Sequence, residues 1–222
     1  MMYLSRLLLD ARSREVQREI ANPYEMHRTV LRGFPTPLPS GERVLFRLET
    51  SARGGVPVLL VQSMERPDWG HLDVLGEDYL LGDGALPADE ENPAVKELAI
   101  KLRADQLLAF RLRANPTMKE SHPGTRQGRR VGLYRDEDQI EWLRRKLSDA
   151  GAQLLDARSG PGETVRAWLN HDGKPYQLTL LSVPFDGVLR IRDPERLIHA
   201  METGIGSGKG LGFGLLSLAP AT

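Results

Sequence analysis

The chain has 222 residues, with 30 basic and 30 acidic side chains and so a formal net charge of zero. It holds no cysteine, which excludes disulfides and zinc–thiolate sites and fits a reducing, cytoplasmic setting. Its 40% hydrophobic and 27% charged residues suit a globular protein of one large domain or two small ones.

Met2–Leu9 reads as a buried strand; with Arg6 inside it, the run is too short for a signal peptide or a membrane span, and no membrane partner is expected. Ser13 can cap a helix running through Ile20, with Val16 and Ile20 facing inward. Asn22 and Pro23 restart a helix, as N-cap and first helical residue. Glu25 can reach back to complete a capping box, and Gly33 is a natural left-handed terminator. Phe34–Gly41 is a Pro-rich loop. Val44–Leu48 and Val56–Gln62 read as strands, with Gly54-Gly55 at a hairpin tip, and Pro67-Asp68-Trp69 opens a turn or short helix. Gly82–Pro93 is acidic and aperiodic and reads as a linker between domains 1–92 and 96–222.

After the linker, Leu107–Asn115 alternates Phe110, Leu112 and Ala114 inward with Arg111, Arg113 and Asn115 outward. Lys119–Arg130 is a basic, Gly-containing loop. Asp136–Ala150 reads as a helix with Ile140, Leu143 and Leu147 inward and Gly151 at its end. Val165–Leu169 and Tyr176–Val183 flank a tight Asp172-Gly173 turn, and Val188–Arg192 is a further strand. Asp193 and Pro194 open a helix through Met201, and Leu211–Leu218 closes the fold. Each half runs strand, helix, strand, strand, helix, strand. That order predicts an α+β protein of two tandem ferredoxin-like (RRM-like) αβ sandwich domains. Trp69, Trp142 and Trp168 are expected as core anchors.

Chemistry concentrates on the Asn22–Gly33 helix. Tyr24, His27, Arg28 and Leu31 share a face, since residues three and four apart are neighbours. An imidazole titrating near neutral pH, a phenol and a guanidinium are the groups needed to break an RNA phosphodiester. The same spacing also suits a surface helix whose Tyr and His half-pack against a neighbour, and Arg28 also has Glu25 within reach as an ion-pair partner. His27, His71, His122, His171 and His199 are scattered without metal-ligand spacing, so no metal or cofactor is expected.

Two further features bear on ligands. Carboxylates dominate from Glu65 to Glu97, and cations dominate from Lys101 to Lys146, an asymmetry that can give a neutral protein a basic face. Chance clustering of solvated charges would leave the same record. Gly204–Gly214 is strongly biased, but Thr203 and Gly210 break a P-loop pattern and the segment follows a helix, which also removes a dinucleotide fingerprint. Gly206, Gly208 and Gly210 can let backbone amides approach a phosphate beside Lys209, or simply form a tight turn.

Asn22–Arg28, Phe110–Pro116 and Gly204–Pro220, in that order along the chain, resemble the CasE-type CRISPR repeat endoribonucleases, the RNA-processing subunits of the Cascade interference complex. The resemblance implies cleavage of precursor CRISPR RNA at the base of repeat hairpins, without metal and with retention of the product. Its partners would be the repeat hairpin or crRNA and other Cascade subunits. The family's catalytic Tyr and His correspond to Tyr24 and His27, and its basic residue near the helix end, Lys in some relatives, to Arg32. Attack by a ribose 2′-OH would leave a 2′,3′-cyclic phosphate and a 5′-OH, with Arg28 and Arg32 against the phosphate. Arg111, Arg113, Lys119, Arg126, Arg129 and Arg130 would hold the RNA. A non-catalytic RNA-hairpin-binding scaffold shares every one of these cations and differs at His27.

Overall fold

A computed structural model describes the chain except residues 40, 51–54, 76–77, 83, 85, 87–89, 121–128, 172–173 and 222, with 129 and 171 described by backbone alone. Met2–Leu8 forms β1, inside a four-stranded antiparallel sheet with β2 (Leu45–Thr50), β3 (Pro57–Ser63) and β4 (Ala94–Leu98), in the order β2-β3-β1-β4. Helices α1 (Arg14–Ala21) and α2 (Pro23–Leu31) lie in the β1–β2 connection, and a single turn, α3 (Leu72–Leu75), follows β3. Leu7, Leu9, Val16, Met26, Val30, Phe46, Leu59, Val61 and Trp69 form one apolar cluster. The Trp69 indole N–H donates to Ser5 Oγ at 3.1 Å, so the ring's polar edge is satisfied within that cluster. Of the expected Gly54-Gly55 hairpin tip, Gly54 lies outside the described residues, and Gly55 sits in a turn with φ of +68°.

Three local expectations change. Ile20 is 40% exposed, and α1 instead turns Val16 and Glu19 inward. The Glu19 carboxylate accepts hydrogen bonds from the Thr29 and Tyr79 hydroxyls, which makes its burial tolerable. Asn22 makes no side-chain cap bond to α2; its amide is used elsewhere. Gly33 does not adopt a left-handed conformation. It is needed for clearance, since a Cβ there would come within 2.9 Å of the Trp69 ring.

β4 pairs with β1, so the first sheet extends through Leu98, past the point where the sequence starts the second domain. Described residues of the preceding acidic stretch are pinned to the first sheet. The Asn92 side chain accepts from the Leu8 N–H and donates to the Leu8 and Leu81 carbonyls, and Glu90 pairs with Arg6.

The second sheet has β5 (Leu107–Ala114), β8 (Ala152–Ser159), β10 (Lys174–Ile191) and β11 (Leu216–Pro220), in the antiparallel order β11-β5-β10-β8, with β9 (Glu163–His171) also on β10. α4 (Asp136–Asp149) and α5 (Pro194–Thr203) bury Trp142, Leu143, Leu147, Leu197 and Met201. Asp193 caps α5 by accepting from the Arg196 N–H. β5 alternates as expected, except that Asn115 is buried, donating to Ser207 Oγ and accepting from the Leu181 N–H. Val188–Arg192 is not a separate strand; β10 runs unbroken for 18 residues. Gly187 permits this, because a Cβ there would stand 2.1 Å from the Asp156 carbonyl oxygen on β8. The basic loop begins and ends as a hairpin of β6 (Thr117–Glu120) and β7 (Arg129–Gly132), in which Lys119 faces Arg130.

The chain forms two compact units, neither continuous in sequence. One comprises Met1–Ile100, Arg166–Leu178 and Gly210–Gly212, and the other comprises Lys101–Val165, Thr179–Lys209 and Phe213–Thr222. Among the described residues, no helix is long and apolar enough to cross a membrane.

Burial raises the Glu19 pKa above its ordinary value of 4.5. A raised folded-state pKa means that the carboxyl's stabilising contribution is complete below the unfolded pKa and is lost as pH rises through the folded one. Glu19→Gln removes this titration. In thermal melts from about pH 4 to about pH 8, the wild type is expected to lose stability relative to E19Q as pH rises. A difference that does not change with pH would contradict this.

Candidate active site

Pro23 starts α2 with a preset φ and no N–H to satisfy, and Met26, Thr29 and Val30 anchor its inner face. That leaves Tyr24 and His27 half-buried at the edge of the core and Arg28 exposed. The Tyr24 and His27 rings are 6.5 Å apart between centroids, tilted by 38°. On its other side the imidazole lies nearly parallel to Phe46, with centroids 6.3 Å apart. Gly210 closes over it: a Cβ at that position would sit 3.4 Å from His27 Cε1 and Nε2. Gly212 approaches Phe46 in the same way, at 3.1 Å.

This packing has an electrostatic consequence. Burial holds the His27 pKa below its ordinary 6.5, because the protonated ring loses hydration with no carboxylate to replace it. Burial thus favours the neutral ring, the form able to accept a proton. Nδ1 is buried without a hydrogen-bond partner among the described residues. An unpaired buried polar atom costs about 1–3 kcal/mol, a cost more readily tolerated at a working site than in a core.

The cations near α2 differ in availability. The Arg28 guanidinium pairs with Glu25 at 3.1 Å, the alternative that its spacing allowed. Arg32, at the C-cap, is exposed and makes no side-chain hydrogen bond or ion pair among the described residues. An exposed, unengaged guanidinium can turn to a phosphate without first breaking a salt bridge.

In the second unit, Lys119, Arg130, Gly206 and Lys209 line a cleft of about 730 Å³. Arg145, Lys146 and Arg196 line it too, against Asp149 and Glu195. Gly206 and Gly208 have φ of +85° and +78° and serve close packing, with would-be Cβ atoms 3.1 Å from Trp142 and 3.0 Å from Phe213. Arg111 and Arg113 do not join this cleft. Arg111 pairs with Asp186 at 2.6 Å, while Arg113 donates to Ser182 Oγ at 2.7 Å and lies 5.3 Å over the Phe213 ring. Arg126 lies outside the described residues, and only the backbone of Arg129 is described, opposite Glu120. Sequence reasoning missed Arg145, Lys146 and Arg196 as cleft residues. The basic Arg144-Arg145-Lys146 run was visible, but helix register decides which members face a cleft formed with α5. Among the described residues, no three His, Asp or Glu side chains converge as a metal site.

The family model described as CRISPR associated protein matches residues 2–220. The chain belongs to that family. It is 37% identical to the CRISPR-associated endoribonuclease Cse3 of Thermus thermophilus over 228 residues, covering 99% of this chain and 100% of the relative. It is 30% identical to the CRISPR system Cascade subunit CasE of Escherichia coli K12, covering 99% and 100%. Among solved structures it resembles Thermus thermophilus Cse3 bound to an RNA representing a pre-cleavage complex, with a TM-score of 0.81, 35% identity and 99% of each chain covered. It also resembles Cas6e of Escherichia coli, with a TM-score of 0.65, 28% identity and 100% of each chain covered. The chain is thus a full-length homologue of a CRISPR endoribonuclease, with the mixed α+β architecture and two antiparallel sheets of that family.

Proposed function

We propose that the protein is an endoribonuclease that cuts precursor CRISPR RNA at the base of each repeat hairpin, needs no metal, and keeps the product as a Cascade subunit in the cytoplasm. The observation that carries this reading is a half-buried His27 beside Tyr24 on α2, in a full-length homologue of Cse3. Cse3 is a CRISPR-associated endoribonuclease seen with an RNA representing a pre-cleavage complex, and CasE is a Cascade subunit, which supports the substrate and the setting.

In the proposed reaction His27 Nε2 accepts the proton of a ribose 2′-OH. The 2′-oxygen bonds to the adjacent phosphorus while the bond to the 5′-oxygen breaks. A proton from Tyr24 or from the new imidazolium neutralises that oxygen, leaving a 2′,3′-cyclic phosphate and a 5′-OH. Arg32 neutralises charge on the pentacoordinate phosphorus, with Arg28 as a second donor once it leaves Glu25. Lys119, Arg130, Arg145, Lys146, Arg196 and Lys209 hold the stem through its phosphates, with Gly206, Gly208 and Gly210 shaping the backbone around the two sites. Arg126 and Arg129 extend the basic hairpin, and Arg111 and Arg113 are secondary contacts at most, given their internal partners.

We further read both units as ferredoxin-like domains, one carrying the catalytic helix and one the basic hairpin. The strand orders β2-β3-β1-β4 and β11-β5-β10-β8 support this, with helices α1 and α2 in the first crossover of the first unit and the single turn α3 in its second, and α4 and α5 in the two crossovers of the second unit.

His27→Ala is expected to slow single-turnover cleavage of a repeat hairpin in EDTA by about 10²-fold or more while hairpin affinity changes little. A single 2′-deoxy at the scissile position should abolish cutting by the wild type. Tight binding of both RNAs without cleavage would instead indicate a scaffold. Arg145→Ala should weaken binding of all hairpins alike and reduce the slope of log affinity against log salt by about 0.7–0.9. An unchanged slope would remove Arg145 from the interface.

A further inference from the structure

Trp168 departs from the expectation that all three tryptophans anchor the core. Trp69 and Trp142 are 6% and 3% exposed, whereas Trp168 is 55% exposed. Its neighbour Ala167 on β9 is fully buried, so strand alternation turns the indole to the opposite, open face. An indole left in water forgoes a large burial gain, and an exposed aromatic of this size is informative where a lone exposed Leu is not.

The ring is exposed but its backbone is fixed. Asn22 accepts from the Trp168 N–H at 3.0 Å and donates to the Trp168 carbonyl at 3.3 Å. Asn22 directly precedes α2, so the amide that fails to cap the helix instead ties Trp168 to the turn that carries Tyr24. Between them lies a groove of about 530 Å³, lined by Asn22, Tyr24, Arg28, Trp168 and Asn170 among others. It combines an aromatic face, the Asn170 amide and the Arg28 guanidinium, the last paired with Glu25, which also lines the groove. Tyr24 belongs both to this groove and to the candidate active site.

We propose that Trp168 stacks an unpaired nucleobase of the RNA next to the phosphodiester positioned for cleavage, making it a substrate-binding residue that fixes where the strand is cut. The proposal rests on the nuclease reading given above. Aromatic stacking suits a base leaving the end of a stem, because every base offers a π-face once it is unpaired. The bidentate Asn22 clamp fixes the Trp168 backbone before RNA arrives, so the ordering entropy lost on binding is confined to the side chain.

The test uses the full-length protein, a repeat hairpin RNA, and copies with an abasic nucleotide immediately 5′ or 3′ of the scissile phosphate. Trp168→Ala is expected to weaken binding of intact RNA about ten-fold, with Trp168→Phe retaining most of the affinity. One abasic RNA should lose a similar factor with the wild type, and Trp168→Ala should cause no further loss on that RNA. If the two losses multiply independently, or Trp168→Ala binds intact RNA as the wild type does, stacking is overturned while the nuclease reading stands. A correctly folded wild type that neither binds nor cuts the intact hairpin overturns both.

Discussion

The desolvation of one imidazole is the constraint on which the site depends. His27 lies at the edge of an apolar core, against Phe46 on one side and under Gly210 on the other. A Cβ at residue 210 would stand 3.4 Å from the ring, in van der Waals contact, so the glycine backbone itself covers the imidazole closely. The packing lowers the His27 pKa, and the packing partners come from sequence positions as distant as 46 and 210. A solvent-facing His on the same helix would sit near its ordinary pKa and would be partly protonated at neutral pH.

Second to this is the anchoring of α2 itself. Its inner face enters the core through Met26 and Val30, and Thr29 donates to Glu19, which also receives the Tyr79 hydroxyl. The His71 ring and the Thr29 carbonyl are 3.0 Å apart, adding a polar contact near the helix end. A proton-transferring group must be held to within a fraction of an ångström to be effective, and a nine-residue helix isolated in water would not manage this. Burying a carboxyl for this purpose works because both oxygens find donors.

Much of this was legible in sequence because the signals were local. Pro23 after a polar residue, the apolar period of α2 and the i, i+3, i+4 spacing of Tyr24, His27 and Arg28 are all set within one helix. The alternation of β5 and the Asp193-Pro194 start of α5 were legible for the same reason. What failed depended on partners far along the chain. Ile20 and Glu19 differ by one residue, or 100° of helix, and only the hydroxyls of Thr29 and Tyr79 make Glu19 the inward choice. Asn22 looked like a cap because its own neighbourhood said so, yet its amide serves a strand 146 residues away. Gly33 carried a terminator signal and turned out to make room for Trp69. The cleft residues Arg145, Lys146 and Arg196 come from two helices whose relative rotation no local pattern encodes.

The most direct test of the central claim is an NMR titration of the His27 imidazole in the intact, RNA-free protein, followed through its Cε1–H resonance and assigned with His27→Gln. The account predicts a midpoint below 6.5, with the neutral ring predominant at pH 7. A midpoint at or above 6.5 would contradict it, because the ring would then be hydrated or paired with an acid, not held dry by Phe46 and the glycine segment.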